Sequence, residues 1–278
     1  MKEKILPKER FLENQVAIIT GSGYGIGKGI ALEFARQGAM VVINDIDPER
    51  TATTNKLLQE LPGKSLVVNG DINDASVREG LVEKALFEFE GLDILVNNVG
   101  IGSQQPKDRI LQSNLDEWRR IWETNFLAPI ALTHLCVEQM KTSRKKGKII
   151  FITSVHQERI ARDAAYSTSK AALKMLVEEL AVDLAPSGIR VNGIAPGWID
   201  TRPEATEKHQ PGKHIGKTPL GRAGLPEEIG RMAVVLASDY WSSYVTGAVI
   251  PVDGGLRLFS HGMQEHPPQV FPNIPLNS

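Results

Sequence analysis

Seven short apolar runs recur along this chain, and almost every gap between them holds a longer helical pattern. The runs are Gln15–Thr20, Ala39–Asp45, Ser65–Asn69, Leu92–Gly100, Ile149–Ile152, Ile189–Ile194 and Ala248–Val252. Runs this short and this continuously apolar suit strands buried on both faces. Strands that alternate with helices form parallel sheets, because only a crossover helix brings the chain back to the same edge in the same direction. The expected fold is therefore α/β, a doubly wound parallel seven-stranded sheet of Rossmann type in a single domain. The expected boundaries are a polar arm over residues 1–14, the domain over 15–255 and a tail over 256–278.

Composition excludes several functions. The 278 residues carry a net charge of -1, which argues against a non-specific nucleic-acid binder. The run Lys141–Lys148 reads as a solvated helix end. Cys136 is the lone cysteine, so an internal disulfide and a cysteine metal cluster are excluded; a buried thiol is expected. His209, His214, His261 and His266 form no ligand pattern, so no metal is expected. The amino terminus has no continuous apolar core like that of a secretion signal, and no run approaches the ~20 residues of a membrane span. A cytoplasmic protein without nucleic-acid or membrane partners is expected.

Ligands of doubly wound sheets bind beyond the carboxyl ends of the strands. Gly21, Asp45, Asp71, Asn97, Ser154 and Pro196 all stand at such ends. The first run enters Gly21-Ser-Gly-Tyr-Gly-Ile-Gly27 and then a helix to Gln37. Such a turn aims backbone N–H groups and a positive helix end at a phosphate. The second run ends on Asp45, 20 residues after Gly25, the offset at which a carboxylate meets an adenosine ribose. Tyr24 and Ile46-Asp47-Pro48 provide no cation for a 2′-phosphate, so NAD is the expected cofactor. Asp47 reads as the cap of the helix opening at Pro48.

The run Ile149–Ile152 delivers Thr153 and Ser154 to its end, and a helix beginning near Ala164 carries Tyr166 and Lys170. Four residues make about one turn, so phenol and ammonium share a helix face. A free tyrosine ionises near pH ~10, and a cation one turn away favours the phenolate. Ser154 could then hold a substrate oxygen while Tyr166 handles its proton. A further long helix is expected over 115–142, broken near Pro129.

Taken together, Thr20–Gly27, Asn97-Asn-Val-Gly100, Asn125, Ser154, Tyr166-Ser-Thr-Ser-Lys170 and Pro196-Gly197 resemble the short-chain dehydrogenase/reductase family, over roughly residues 13 to 255. The resemblance implies Tyr166 as acid/base, Ser154 as the group orienting the substrate oxygen, and Lys170 as holding the nicotinamide ribose while lowering the tyrosine's pKa. Asn125 would support a relay water. Gly21, Gly25, Ile26, Gly27, Asn98, Gly100, Pro196 and Gly197 would line the cofactor; Asp71 and Ile72 would meet its adenine, and Ile199 and Thr201 its carboxamide and phosphates. Val99 replaces the family's usual alanine. Ser154 stands one residue closer to Tyr166 than usual; Thr153 has the usual spacing and is the alternative.

Ser154-Val-His-Gln157 is similar to the Ser-Val-His-Glu segment of bacterial glucose 1-dehydrogenases, which makes His156 a candidate substrate contact. A small-molecule sugar or polyol is the first expectation. A 3-oxoacyl thioester is the second, and a catalytically inactive nucleotide sensor the reading from another class. Homotetramers are common in the family, so the tail is expected across a neighbouring subunit.

Overall fold

The computed structural model describes residues 10–103, 114–143, 146–201 and 218–258. The tail beyond 258, expected across a neighbouring subunit, lies outside them, as do His209, His214, His261 and His266.

The strands are β1 (Val16–Ile19), β2 (Met40–Asp45), β3 (Ser65–Asn69), β4 (Ile94–Asn97), β5 (Lys148–Ile152), β6 (Arg190–Pro196) and β7 (Val249–Val252). They form one sheet in the order β3-β2-β1-β4-β5-β6-β7, with every pair parallel. Strand order reverses between β1 and β4, which opens a crevice at their carboxyl ends.

The helices are α1 (Gly25–Arg36), α2 (Pro48–Leu58), α3 (Ala75–Phe89), α4 (Leu115–Trp122), α5 (Ala128–Thr142), α6 (Ala164–Leu184), α7 (Pro226–Ala237) and the short α8 (Asp239–Ser242). They cover both faces of the sheet. Alternate residues of one strand serve opposite cores, since side chains alternate along a strand. Ala17 and Ile19 pack with Ile30 and Phe34 of α1 and Ile229 of α7. Val16 and Ile18 pack with Leu81 of α3, Leu132 and Cys136 of α5, and Val177 of α6. Both faces are dry, which is why the strands read as unbroken apolar runs. Cys136 is fully buried, and burial pushes its thiol well above the ordinary range.

The expected helix break near Pro129 is present. The path from Leu115 to Thr142 changes at a π turn over Glu123–Leu127, upstream of Pro129. Proline has no N–H to give the carbonyl four residues back, and its ring crowds that carbonyl. Four residues before Pro129 is Asn125, in the middle of the π turn. The break is therefore the effect of Pro129 on the turn just before it.

Lys148 is a correction. Read as part of a solvated run, it is buried as the first residue of β5. Its ammonium donates to Gln15 Oε1 at 3.1 Å and pairs with Asp239 at 3.0 Å. Those partners are remote in sequence, so local charge density gave no sign of them. Nearby, Phe11 meets the rings of Tyr240 and Trp241, and Leu12 is buried, so residues 10–14 are packed against the domain.

Candidate active site

The glycine turn between β1 and α1 owes its shape to backbone that other residues resist. Gly21 and Gly25 have φ of +60° and +55°, in the left-handed region. A Cβ on Gly27 would lie 2.2 Å from the Gly21 carbonyl oxygen, so the turn folds back on itself only with hydrogen there. The β4 end fastens it: the Asn98 side-chain amide donates to the carbonyls of Thr20 (2.9 Å) and Gly21 (3.1 Å). Asp45 fastens the other side. Its carboxylate accepts from the backbone N–H groups of Gly23 (3.2 Å) and Asp47 (3.1 Å). Asp47 in turn caps α2, accepting from Glu49 and Arg50.

Beyond the strand ends lies a cleft of about 600 Å³, within the range of small-molecule and cofactor sites. Gly21, Gly25 and Ile26 line it from the first turn, and Asp45 from β2. Asp71, Ile72, Asn98 and Gly100 follow from the turns after β3 and β4. Ser154, Tyr166 and Lys170 close one wall, and Pro196, Gly197, Ile199 and Thr201 another. Residues from seven separate stretches of sequence thus share one cavity.

Three expected residues are not in the lining. Gly27 supports the turn from beneath. The Asn125 side chain is fully buried and turned away, accepting from the Ile101 N–H (2.8 Å) and donating to the Ile101 carbonyl (2.9 Å) and Ser169 Oγ (3.1 Å). It splints the loop after β4. His156 meets Tyr166 edge to face, with ring centroids 5.3 Å apart and planes at 89°.

Arg50 corrects the expectation that no cation stands near Asp45. It lines the cleft, lies 5.3 Å over the Tyr24 ring and pairs with Asp47 at 3.1 Å. Its place inside a helix, beyond the residues directly after β2, hid it from motif reading. Arg120, Asn73 and Thr124 also line the cleft and carry no sequence signal.

At the reactive end, α6 begins where Asp163 caps it, accepting from the Tyr166 N–H at 3.4 Å. Ser154 hydrogen-bonds the Tyr166 phenol with its side chain, and its Oγ accepts from the His156 N–H at 3.2 Å. Thr153 turns the other way, its hydroxyl donating to the Ile194 carbonyl of β6 at 3.1 Å. The Lys170 ammonium donates to the Ile152 carbonyl at 2.9 Å and sits 5.7 Å from the centre of the Tyr166 ring. A Cβ on Gly100 would come within 3.0 Å of that ammonium, so glycine makes room for the lysine.

The electrostatics differ from the sequence expectation. The Tyr166 phenol is held above its ordinary range, chiefly because burial penalises the phenolate; the Ser154 hydrogen bond opposes this and the Asp163 charge adds to it. Burial also brings Lys170 down to about 8, which leaves it mostly protonated at neutral pH. The lysine was expected to lower the tyrosine's pKa, but in this structure desolvation of the phenol outweighs its charge.

Among the described residues, no group of three or more His, Cys, Asp or Glu side chains could hold a metal ion. Nor is any described helix long and apolar enough to cross a membrane.

Known proteins share this sequence pattern and fold. A family model described as enoyl-(acyl carrier protein) reductase matches residues 21–257. Glucose 1-dehydrogenase 2 of Bacillus subtilis is 36% identical over 253 residues, covering 89% of this chain and 96% of that protein. The 3beta-hydroxysteroid dehydrogenase 1 of Eggerthella lenta is 34% identical over 253 residues, covering 89% and 95%. Among solved structures, a short-chain type dehydrogenase/reductase from Mycobacterium marinum superposes with a TM-score of 0.80 at 34% identity, over 88% of this chain and 96% of that one. Acetoin dehydrogenase from Salmonella typhimurium does so with a TM-score of 0.80 at 28% identity, over 89% and 97%. The relatives are dehydrogenases that act on hydroxyl groups, and this chain belongs with them to the oxidoreductases of the short-chain dehydrogenase/reductase family.

Proposed function

We propose that this enzyme oxidises a secondary alcohol, first among them a sugar or polyol hydroxyl, with NAD as hydride acceptor. The observation that carries the reading is the meeting of Ser154, Tyr166 and Lys170 in the cleft that Gly21, Gly25 and Asp45 also line. The cradle suits a dinucleotide. Glycines at positive φ bring backbone close to a pyrophosphate, α1 points its N-terminus there, and Asp45 stands at the ribose distance along the chain. A nicotinamide dinucleotide held by these residues would supply the acceptor for the hydride of the substrate carbon.

The residues of the chain do the rest. Ser154 Oγ gives the substrate oxygen a hydrogen-bonding neighbour beside the phenol, which fixes its approach. Tyr166, as phenolate, takes the hydroxyl proton while the carbon loses hydride, leaving a carbonyl. In the reverse direction the phenol returns that proton. Lys170 holds positive charge near the phenol ring and would be the group to hold the nicotinamide ribose. Asn125 acts through Ile101, keeping the loop that carries Gly100 against Lys170.

NAD is favoured over NADP because Asp45 is an anion at the ribose position and Arg50 is already paired with Asp47. The sugar class is supported by Ser154-Val-His156 and by the likeness to a glucose 1-dehydrogenase. The test is NADH formation from NAD across a panel of aldoses and polyols. Turnover of glucose or a close sugar is expected. No sugar turnover, together with NADH-dependent reduction of an acetoacetyl thioester, would discard the sugar assignment and keep the catalytic residues.

A further inference from the structure

Asp163 is a buried carboxylate that no step above uses, and its contacts are unusually complete. One oxygen accepts from the Ser103 hydroxyl at 2.5 Å and from the Tyr166 N–H at 3.4 Å; the other accepts from the Ser103 N–H at 3.2 Å. Ser103 ends the described part of the loop that follows β4. That loop presents Gly100 to Lys170 and is tied through Ile101 to Asn125. The backbone turns into Asp163 through Arg162 at φ +58°, a left-handed conformation that a non-glycine residue resists. The fold therefore retains a strained residue immediately before Asp163, and the turn there leads into the cap of the catalytic helix.

A plain N-cap needs no charge, since serine or asparagine serves as well. A carboxylate here has a second consequence, because it sits one helical turn from a phenol whose ionisation the reaction requires. Facing Tyr166 from its own helix are Asp163 and Lys170, and from the turn at Val155–Gln157 the ring of His156. Glu158 of that region is spent on Lys174 at 2.7 Å. The π turn contributes Glu123, which is exposed, and α4 contributes Asp116, Glu117, Arg119 and Arg120. On β6, Arg190 lies at the opposite strand end with Asp239. Asp163 is thus the carboxylate held against the first turn of α6.

We propose that Asp163 is a positioning residue for Tyr166: it clamps the loop after β4 to the first turn of α6 and places a negative charge at the end of the helix that carries the phenol. This rests on reading Tyr166 as the acid/base. The negative charge favours the neutral phenol, which agrees in direction with the upward displacement of Tyr166, led by burial and increased by Asp163. The site is thereby biased toward giving a proton to a carbonyl at neutral pH, and alcohol oxidation gains as pH rises.

The test needs no substrate. The chain has four tyrosines, so the Tyr166 titration is the near-ultraviolet phenolate signal of the wild type minus that of Tyr166→Phe. Asp163→Asn removes the charge and keeps one oxygen to accept from the Tyr166 N–H and the Ser103 hydroxyl, while giving up the acceptor for the Ser103 N–H. It is expected to move the Tyr166 titration down by about half a unit or more, with circular dichroism confirming the fold across the pH range. Asp163→Ser, also a good cap, takes its place if the asparagine variant does not fold. Ser103→Ala leaves the charge and is expected to leave the titration within about 0.2 unit of wild type. An Asp163→Asn titration that stays in place overturns the proposal. Undiminished turnover by Tyr166→Phe would overturn the acid/base reading itself, which separates the two failures.

Discussion

Tyr166→Phe is expected to bind NADH as the wild type does and to lose turnover by roughly 10³-fold, the usual order for removal of a general acid/base. The phenol meets Ser154, and Tyr166 lines the cleft. Phenylalanine preserves the ring and its edge-on contact with His156, so neither the packing of α6 nor the cofactor wall should change. Nucleotide binding by fluorescence and turnover on the same preparation separate the effects. Unchanged turnover would remove Tyr166 from the chemistry; a matching loss of NADH affinity would make it a structural residue of the cofactor wall.

Lys170→Met is expected to do two opposed things. Turnover falls by roughly 10²-fold or more, because the positive charge beside the phenol and the ribose position is gone. The fold, however, gains stability. Burial brings Lys170 from 10.5 to about 8. A lysine depressed in this way costs stability fully below its folded pKa, and the cost is relieved as pH rises towards the unfolded value of about 10.4. At pH ~7 that cost is of the order of 3 kcal/mol, partly offset by the hydrogen bond to the Ile152 carbonyl, typically worth about 1.5–3 kcal/mol for a charged donor. A net gain of about 1 kcal/mol in the variant follows, seen as a melting temperature higher by about 2–4 °C. The gain should fade between pH ~8 and pH ~10. A variant less stable at neutral pH, with a difference that ignores pH, would show that Lys170 is held for packing.

These two effects describe a site whose layout was partly legible in sequence. The strands were legible because parallel strands buried on both faces leave continuous apolar runs, and the strand ends then named Gly21, Asp45 and Ser154. The start of α6 and the Asp47 cap were legible because helix entry has local chemistry. What local pattern could not supply came from distant contacts. Lys148 sits among charges in sequence, yet Gln15 and Asp239 bury it. Asp163 and Ser103 meet across 60 residues of chain. Arg50 reaches the cleft from inside a helix, and its approach to Tyr24 depends on how α2 packs beside the glycine turn. The direction of the Tyr166 shift depends on burial, which tertiary structure sets. The helix spacing of Tyr166 and Lys170 placed the two groups together and left the stronger effect unseen.

The most direct measurement is calorimetric titration of the wild-type protein with NADH and NADPH under one buffer and salt condition. If Asp45 meets the adenosine ribose as proposed and Arg50 stays engaged with Asp47, NADH binds and NADPH binds at least about tenfold more weakly, a difference near 1.4 kcal/mol. Equal or tighter binding of NADPH would show that Arg50 leaves Asp47 for the phosphate and would contradict the NAD assignment. Binding of neither would contradict the dinucleotide cleft itself.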